Sequence, residues 1–267
     1  MKLNIVPART GLTWVRLGIQ TFLRQPLAVS GLLFMFIAML SVVSLLPYVG
    51  TLLALCLVPA AMLGLMAATE QVTQGSFPMP SIMISGFQAG PQRMRAMLML
   101  GALYAASVLG LMGLSALVDG GQFARIYLFG GEVTEEIVQQ EGFQAAMWLT
   151  ISLYLPLLLL FSHAPALTHW HGLPPLKSLF FSLIAGYKNL GAFVVFGAAW
   201  AGVFMLSAFV VSLIASLMGS PMLAAILMLP MALIIVAMFF TSLYFTFRDN
   251  FTATDADPVS APDQGPL

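Results

Sequence analysis

The chain's only imidazoles fall close together, at His163, His169 and His171. Neutral imidazole ligates zinc or nickel well, and its near-neutral pKa suits a pH-sensitive contact. In extended form, His169-Trp170-His171 would send both rings to one side. A tight metal site needs three or four ligands held by a further layer of hydrogen bonds. No Cys, Asp or Glu lies within the segment, and Glu70 joins only through the fold. The competing reading is structural, because amphipathic rings such as histidine and Trp170 favour a membrane–water boundary. The composition of the segment favours that reading. No metal and no cofactor is expected, with His163, His169 and His171 as the candidate ligands if one binds. No nucleophile–base pair, Gly-rich phosphate loop, HExxH motif or pair of intramembrane carboxylates appears, so no enzymatic activity is expected. The single Cys56 sits in an apolar run without a disulfide partner.

The elements that carry these residues are set by composition. Of 267 residues, 60% are hydrophobic and only 7% are charged, with a mean hydropathy of +0.97. Soluble domains carry about 25% charged residues, so the solvent of this chain is lipid. The net charge of zero gives no footprint for nucleic acid. Six apolar runs approach spanning length, at 27–46, 49–68, 96–118, 145–161, 192–217 and 222–245, and none contains Asp, Glu, Lys or Arg. Lipid cannot satisfy free backbone groups, so each run must be helical. The expected fold class is all-α: a polytopic membrane bundle of six transmembrane helices. The first run is too long, and its flanks are wrong, for a cleaved signal.

Lys and Arg set the orientation. Lys2, Arg9, Arg16, Arg24, Arg93, Arg95, Lys177, Lys188 and Arg248 all fall on one side, and only Arg125 falls on the other. Both termini and the histidine segment are therefore expected in the cytoplasm of a bacterium, with the 119–144 loop outside. Within that loop, Thr134 is placed to cap a short helix running to Gln140, Asp119 and Arg125 are placed to pair, and a packed re-entry segment is expected.

Three cytoplasmic segments precede odd-numbered spans and read as interfacial amphipathic helices. In the first, Thr13, Arg16, Gln20 and Arg24 form a polar stripe, opposed by Leu12, Val15, Ile19 and Phe22. In the second, Ser81, Ser85, Gln88, Gln92 and Arg95 recur, although Pro91 must break or bend the helix. In the third, Leu176, Leu179, Phe180, Leu183 and Tyr187 form an apolar face after a Pro174–Pro175 start. Arg16, Arg24, Arg93, Arg95, Lys177 and Lys188 are the candidate lipid contacts, snorkelling to phosphates. Each even-numbered span carries a proline that should kink it: Pro59, Pro156 and Pro230. The pattern points to a threefold internal repeat over 10–75, 80–170 and 174–248. These form a single membrane domain, 1–251, followed by a disordered tail, 252–267. Small residues (Ala102, Ala106, Gly110 and Gly113, then Gly197, Ala198, Ala201 and Gly202) are expected to pack inside the bundle, homodimerisation being the alternative.

The opening "MKLNIVPARTGLTWVRLGIQTFLRQPLAVSGL", the loop "SALVDGGQFARIYL" and "HAPALTHWHGLPPLKSLFFSL" resemble a family of uncharacterised six-span inner-membrane proteins of proteobacteria. That resemblance implies fold and location, and no chemistry. The helix-before-span pattern is also similar to the membrane domain attached to some glycerophosphodiester phosphodiesterases, whose catalytic domain is absent here. No ionisable residue lies inside a span, which argues against a proton-coupled carrier. The function expected is accessory or structural, with the lipid bilayer and a membrane-protein partner or second copy as partners. A transporter or channel for a small or lipid-like solute is the alternative.

Overall fold

A computed structural model describes residues 2–252. Of the expected tail only Thr252 lies in that range; the rest falls outside the described residues. The elements are β1 (Lys2–Leu3), α1 (Thr10–Arg24), α2 (Pro26–Ser44), α3 (Gly50–Thr73), a 3-10 turn (Pro80–Ile84), α4 (Ser85–Gln88), α5 (Pro91–Asp119), α6 (Gln122–Phe129), α7 (Glu135–Gln139), α8 (Glu141–Ser162), α9 (Ala164–Trp170), α10 (Pro175–Lys188), α11 (Leu190–Leu217), α12 (Pro221–Asn250) and β2 (Phe251–Thr252). The protein is an all-α polytopic membrane bundle. Six of its helices are long and apolar enough to span a bilayer: α2, α3, α5, α8 continued through α9, α11 and α12.

Local chemistry sets the boundaries. Pro26, Pro91 and Pro175 open α2, α5 and α10, at the position where a missing N–H costs nothing and φ is pre-set. Pro91 also ends the second amphipathic segment, which is reduced to the 3-10 turn and the single turn of α4. Gly90 makes the break at φ 97°, a conformation a side chain would resist. Pro59, Pro156 and Pro230 each lie inside a continuous helix. Pro59 is buried, whereas Pro156 and Pro230 are exposed.

The spans run alternately up and down. α2 packs on α3, α5 on α8, and α11 on α12; α3 also packs on α5 and α12. The amphipathic segments sit on the spans in a regular way. The 3-10 turn and α4 lie on α3, α10 lies on α8, and α1 lies on α12 and α11. Each therefore covers the second span of the pair before it, and for α1 that pair is the last in the chain. The ends are tied together as well. Lys2 pairs with Thr252 and Leu3 with Phe251 in a two-stranded antiparallel ribbon, so both ends lie on the same side, here called the terminal side.

Close helix contact comes from glycines other than those expected. A Cβ on Gly18 of α1 would fall 2.5 Å from the Ser242 Cβ of α12. Gly11 in the same way abuts the Ala192 carbonyl, and Gly101 of α5 abuts the Cys56 carbonyl of α3. The small residues predicted to pack inside the bundle do not. Ala102, Ala106, Gly110, Gly113, Gly197, Ala198, Ala201 and Gly202 are exposed, and nothing lies within 4 Å of a Cβ built on any of these four glycines. Spacing alone fixes a stripe; it does not fix which way the stripe turns.

Candidate functional site

A network of buried polar side chains lies on the terminal side. At their centre is His163, which ends α8 and begins α9 and is fully buried. Its main-chain N–H donates to the Ser182 hydroxyl of α10 at 3.1 Å, and that hydroxyl donates to the Leu159 carbonyl at 2.6 Å. A serine from another helix is thus inserted into the last i→i−4 bond of α8. Insertions of this kind bend helices. The ring Nε2 lies 3.0 Å from the Thr246 Oγ1 of α12. Thr246 has one hydroxyl proton, which goes to the Leu243 carbonyl at 2.8 Å. Nε2 must therefore carry the ring proton and donate. That leaves Nδ1 a bare acceptor, buried without a partner among the described residues. Its surroundings are the rings of Phe193, Phe247 and Phe251, with centroids 5.5–6.0 Å away.

A second hub ties the chain ends to this core. The Asn189 Oδ1 accepts from the Val6 N–H at 2.9 Å. Its Nδ2 donates to the Asn4 carbonyl at 3.0 Å and to the Asn250 Oδ1 at 2.8 Å. The Trp14 indole of α1 donates to the Asp249 Oδ2 at 2.9 Å, and Arg248 pairs with the other Asp249 oxygen at 3.0 Å. Further hydroxyls join neighbouring helices: Thr168 donates to Ser178 at 2.9 Å, and the Trp200 indole donates to Ser242 at 3.2 Å. In a medium that offers no water, satisfied contacts of this kind fix helix positions.

The geometry corrects two expectations about the histidines. His169 lies within helix α9 and His171 caps it, so the two rings do not share a side as an extended strand would place them. His163 lies in the protein interior, not at the lipid boundary. The His171 ring lies 6.0 Å from that of Phe247, tilted by 43°, and Phe247 also flanks His163. His169 lies in electrostatic reach of Arg93. No group of three His, Cys, Asp or Glu side chains placed to hold a metal occurs among the described residues.

Around this core runs a basic rim. Arg16, Arg24, Arg95, Lys177 and Lys188 are exposed and Arg93 is half-buried. On α10 the buried face is Ser178, Leu179, Ser182, Ala185 and Gly186. The opposite face presents Leu176, Phe180, Leu183 and Tyr187 outward beside Lys177 and Lys188.

On the far side, the loop lies against the span ends and buries none of the residues of α6 or α7. α6 packs on α5 and α8, and Thr51 reaches the Leu128 carbonyl at 3.5 Å. Asp119 does not pair with Arg125. Its carboxylate accepts from the Gly121 and Phe123 N–H groups at 2.9 and 2.6 Å and so caps α6. Thr134 caps α7 through the Ile137 N–H, as its position predicted. The Tyr104 and Tyr154 hydroxyls meet at 2.9 Å. Tyr127 of α6 approaches the same pair, and burial, with the Tyr154 hydroxyl second, pushes its pKa above the ordinary phenol value.

Sequence comparison supplies the context for this arrangement. A probable inner membrane protein of Burkholderia thailandensis is 35% identical over 266 residues, covering 98% of each chain. The chain belongs to that family. Membership, with six apolar helices, places the protein in the lipid bilayer as an integral inner-membrane protein. No family model and no solved structure matches, so the likeness to the membrane domain of glycerophosphodiester phosphodiesterases gains no support. The relative's name states no activity.

Sequence reading missed Asn189, Asn4, Asn250, Ser182 and Thr246. The available signal was polar residues with both donors and acceptors at span ends, where an unpaired amide is costly.

Proposed function

We propose that the protein is an accessory, non-catalytic membrane component that gathers anionic phospholipid on a basic collar at its terminal side. The observation that carries this reading is α10. Its polar and small face is buried in the bundle, and its exposed face pairs Leu176, Phe180 and Tyr187 (62%, 59% and 76% exposed) with Lys177 and Lys188. Apolar rings and aliphatic chains suit the acyl boundary, and lysines beside them suit headgroup phosphates. Arg16 and Arg24 on α1 and Arg93 and Arg95 at the start of α5 extend the collar. The bias of basic residues supports a cytoplasmic terminal side. Probes in the 132–141 loop should then react only from outside intact cells, and labelling of His169 from outside would overturn the orientation. The recurrent seating of an amphipathic segment on the preceding proline span supports three repeats, 10–75, 80–170 and 174–248, within one membrane domain.

Native mass spectrometry on gently extracted protein tests the collar. Phosphatidylglycerol or cardiolipin should stay bound and should leave as salt rises. A cytoplasmic charge near an anionic surface contributes about 1 kcal/mol, so each of Arg16→Gln, Arg24→Gln, Lys177→Gln and Lys188→Gln should weaken retention about fivefold. Retention that ignores all four changes overturns the proposal. Solute flux in liposomes would point instead to a transporter.

A further inference from the structure

Charge on the terminal side is unbalanced. Nine basic side chains lie there, and the described residues set only two acids against them, Glu70 and Asp249. Asp249 is already engaged, by Arg248 and by the Trp14 indole. Lys2, Arg9 and Lys188 are exposed, and among the described residues no carboxylate lies within ion-pair distance of them. These three share one neighbourhood. Lys2 stands opposite Thr252 in the ribbon. Lys188 adjoins Asn189, whose Nδ2 donates to the Asn4 carbonyl, and the Asn4 side chain reaches the Thr252 hydroxyl at 3.5 Å. Arg9 follows Ala8, which lies against Gly191 near the start of α11.

The ribbon hands the chain on from the middle of this patch. Residues 253–267 carry Asp255, Asp257 and Asp263, no Lys or Arg, and only Val259 and Leu267 as large apolar side chains. Charge is their one strong handle. Fully extended backbone advances about 3.3–3.6 Å per residue, so Asp255 and Asp257 can reach about 10 and 17 Å from Thr252. An exposed ion pair alone contributes little. A tether changes that, because the second and third contacts form within one molecule.

We propose that the acidic segment 253–267 docks through Asp255, Asp257 and Asp263 on the Lys2–Arg9–Lys188 patch, and there keeps anionic phospholipid off the chain-end edge of the collar. The rivalry with lipid rests on the collar reading above; the docking does not. Lipid phosphates and the three carboxylates carry the same sign, so occupancy of the patch by one repels the other. A leaflet rich in anionic lipid displaces the segment, and a leaflet poor in it leaves the patch covered.

Carbodiimide treatment of the full chain, which condenses a carboxylate with an amine in contact, tests the docking in lipid-free detergent at low salt. Asp255, Asp257 and Asp263 should link to Lys2 or Lys188 within one chain, read by peptide mass spectrometry, and high salt should abolish the links. In Asp255→Asn/Asp257→Asn the Asp263 link should fall about fivefold, because its neighbours no longer hold the segment down. Proximity through the tether alone would leave that link unchanged, and would overturn the docking. Links that survive high salt, or that join two chains, would overturn it as well. Native mass spectrometry then tests the rivalry. Phosphatidylglycerol occupancy should rise about fivefold in Asp255→Asn/Asp257→Asn/Asp263→Asn, the effect of one collar charge set free, and equally on removal of residues 253–267. Equal occupancy in parent and variants would overturn the rivalry. Absence of lipid from all three proteins would overturn the collar and the rivalry together, with the cross-links still deciding the docking.

Discussion

The two halves of α12 are buried to very different extents. Near the loop side, Met222 and Leu229 are 72% and 67% exposed. Near the terminal side, Ser242, Thr246 and Asn250 are fully buried. The same contrast runs through α11, buried at Ala192, Phe196 and Trp200 and then largely open to lipid until Val211. In water the more apolar half would be the buried one. In lipid an apolar side chain gains nothing by exchanging an acyl chain for a neighbouring helix. Helices meet instead where backbones approach closely or where polar groups need partners. Both conditions occur at the terminal side: Gly11 and Gly18 on α1, and the His163–Ser182–Thr246 and Asn189–Asn250 networks. The loop half of α11 and α12 has neither.

The contrast can be broken most severely at the closest approach. Gly18→Leu places a side chain where Ser242 already stands and should destabilise by about 3 kcal/mol or more, read as a lower Tm in detergent; an unchanged Tm would mean that α1 is not docked. Asn189→Ala removes three hydrogen bonds and strands the Asn4 carbonyl and the Val6 N–H, for an expected loss of about 2 kcal/mol. It should also loosen the chain ends, seen as faster amide exchange at Leu3 and Asn4. At the other extreme, Leu229→Ala and Phe209→Ala face lipid and should stay within about 0.5 kcal/mol of the parent. A large loss at either would show that the loop half packs against a second copy or a partner.

Which parts of this were legible beforehand follows from the range of each signal. The six spans, the Pro91 break and the Thr134 cap depend on residues a few positions apart, and all three are in place. The histidines were misplaced because the burial of His163 is decided by Thr246, 83 positions away. The expected Asp119–Arg125 pair gave way to nearer backbone N–H groups, which a carboxylate reaches without ordering a long side chain. The small-residue stripes of α5 and α11 were visible as stripes, but their facing is set by where α1 and α3 lie. The exposed position of the basic residues was legible because charge in a chain this apolar has only one place to go; their contact with lipid belongs to the proposal above.

The seating of α1 against the end of α12 bears on how the chain is made. Trp14 and its partner Asp249 are 235 positions apart, which at ~5–20 residues/s of synthesis separates their emergence by ~10–50 s. Helix α1 therefore leaves the ribosome long before it can find its place. Until then its Trp14 face stands open, a visible mark of an unfinished polypeptide for any chaperone or protease that patrols the membrane surface.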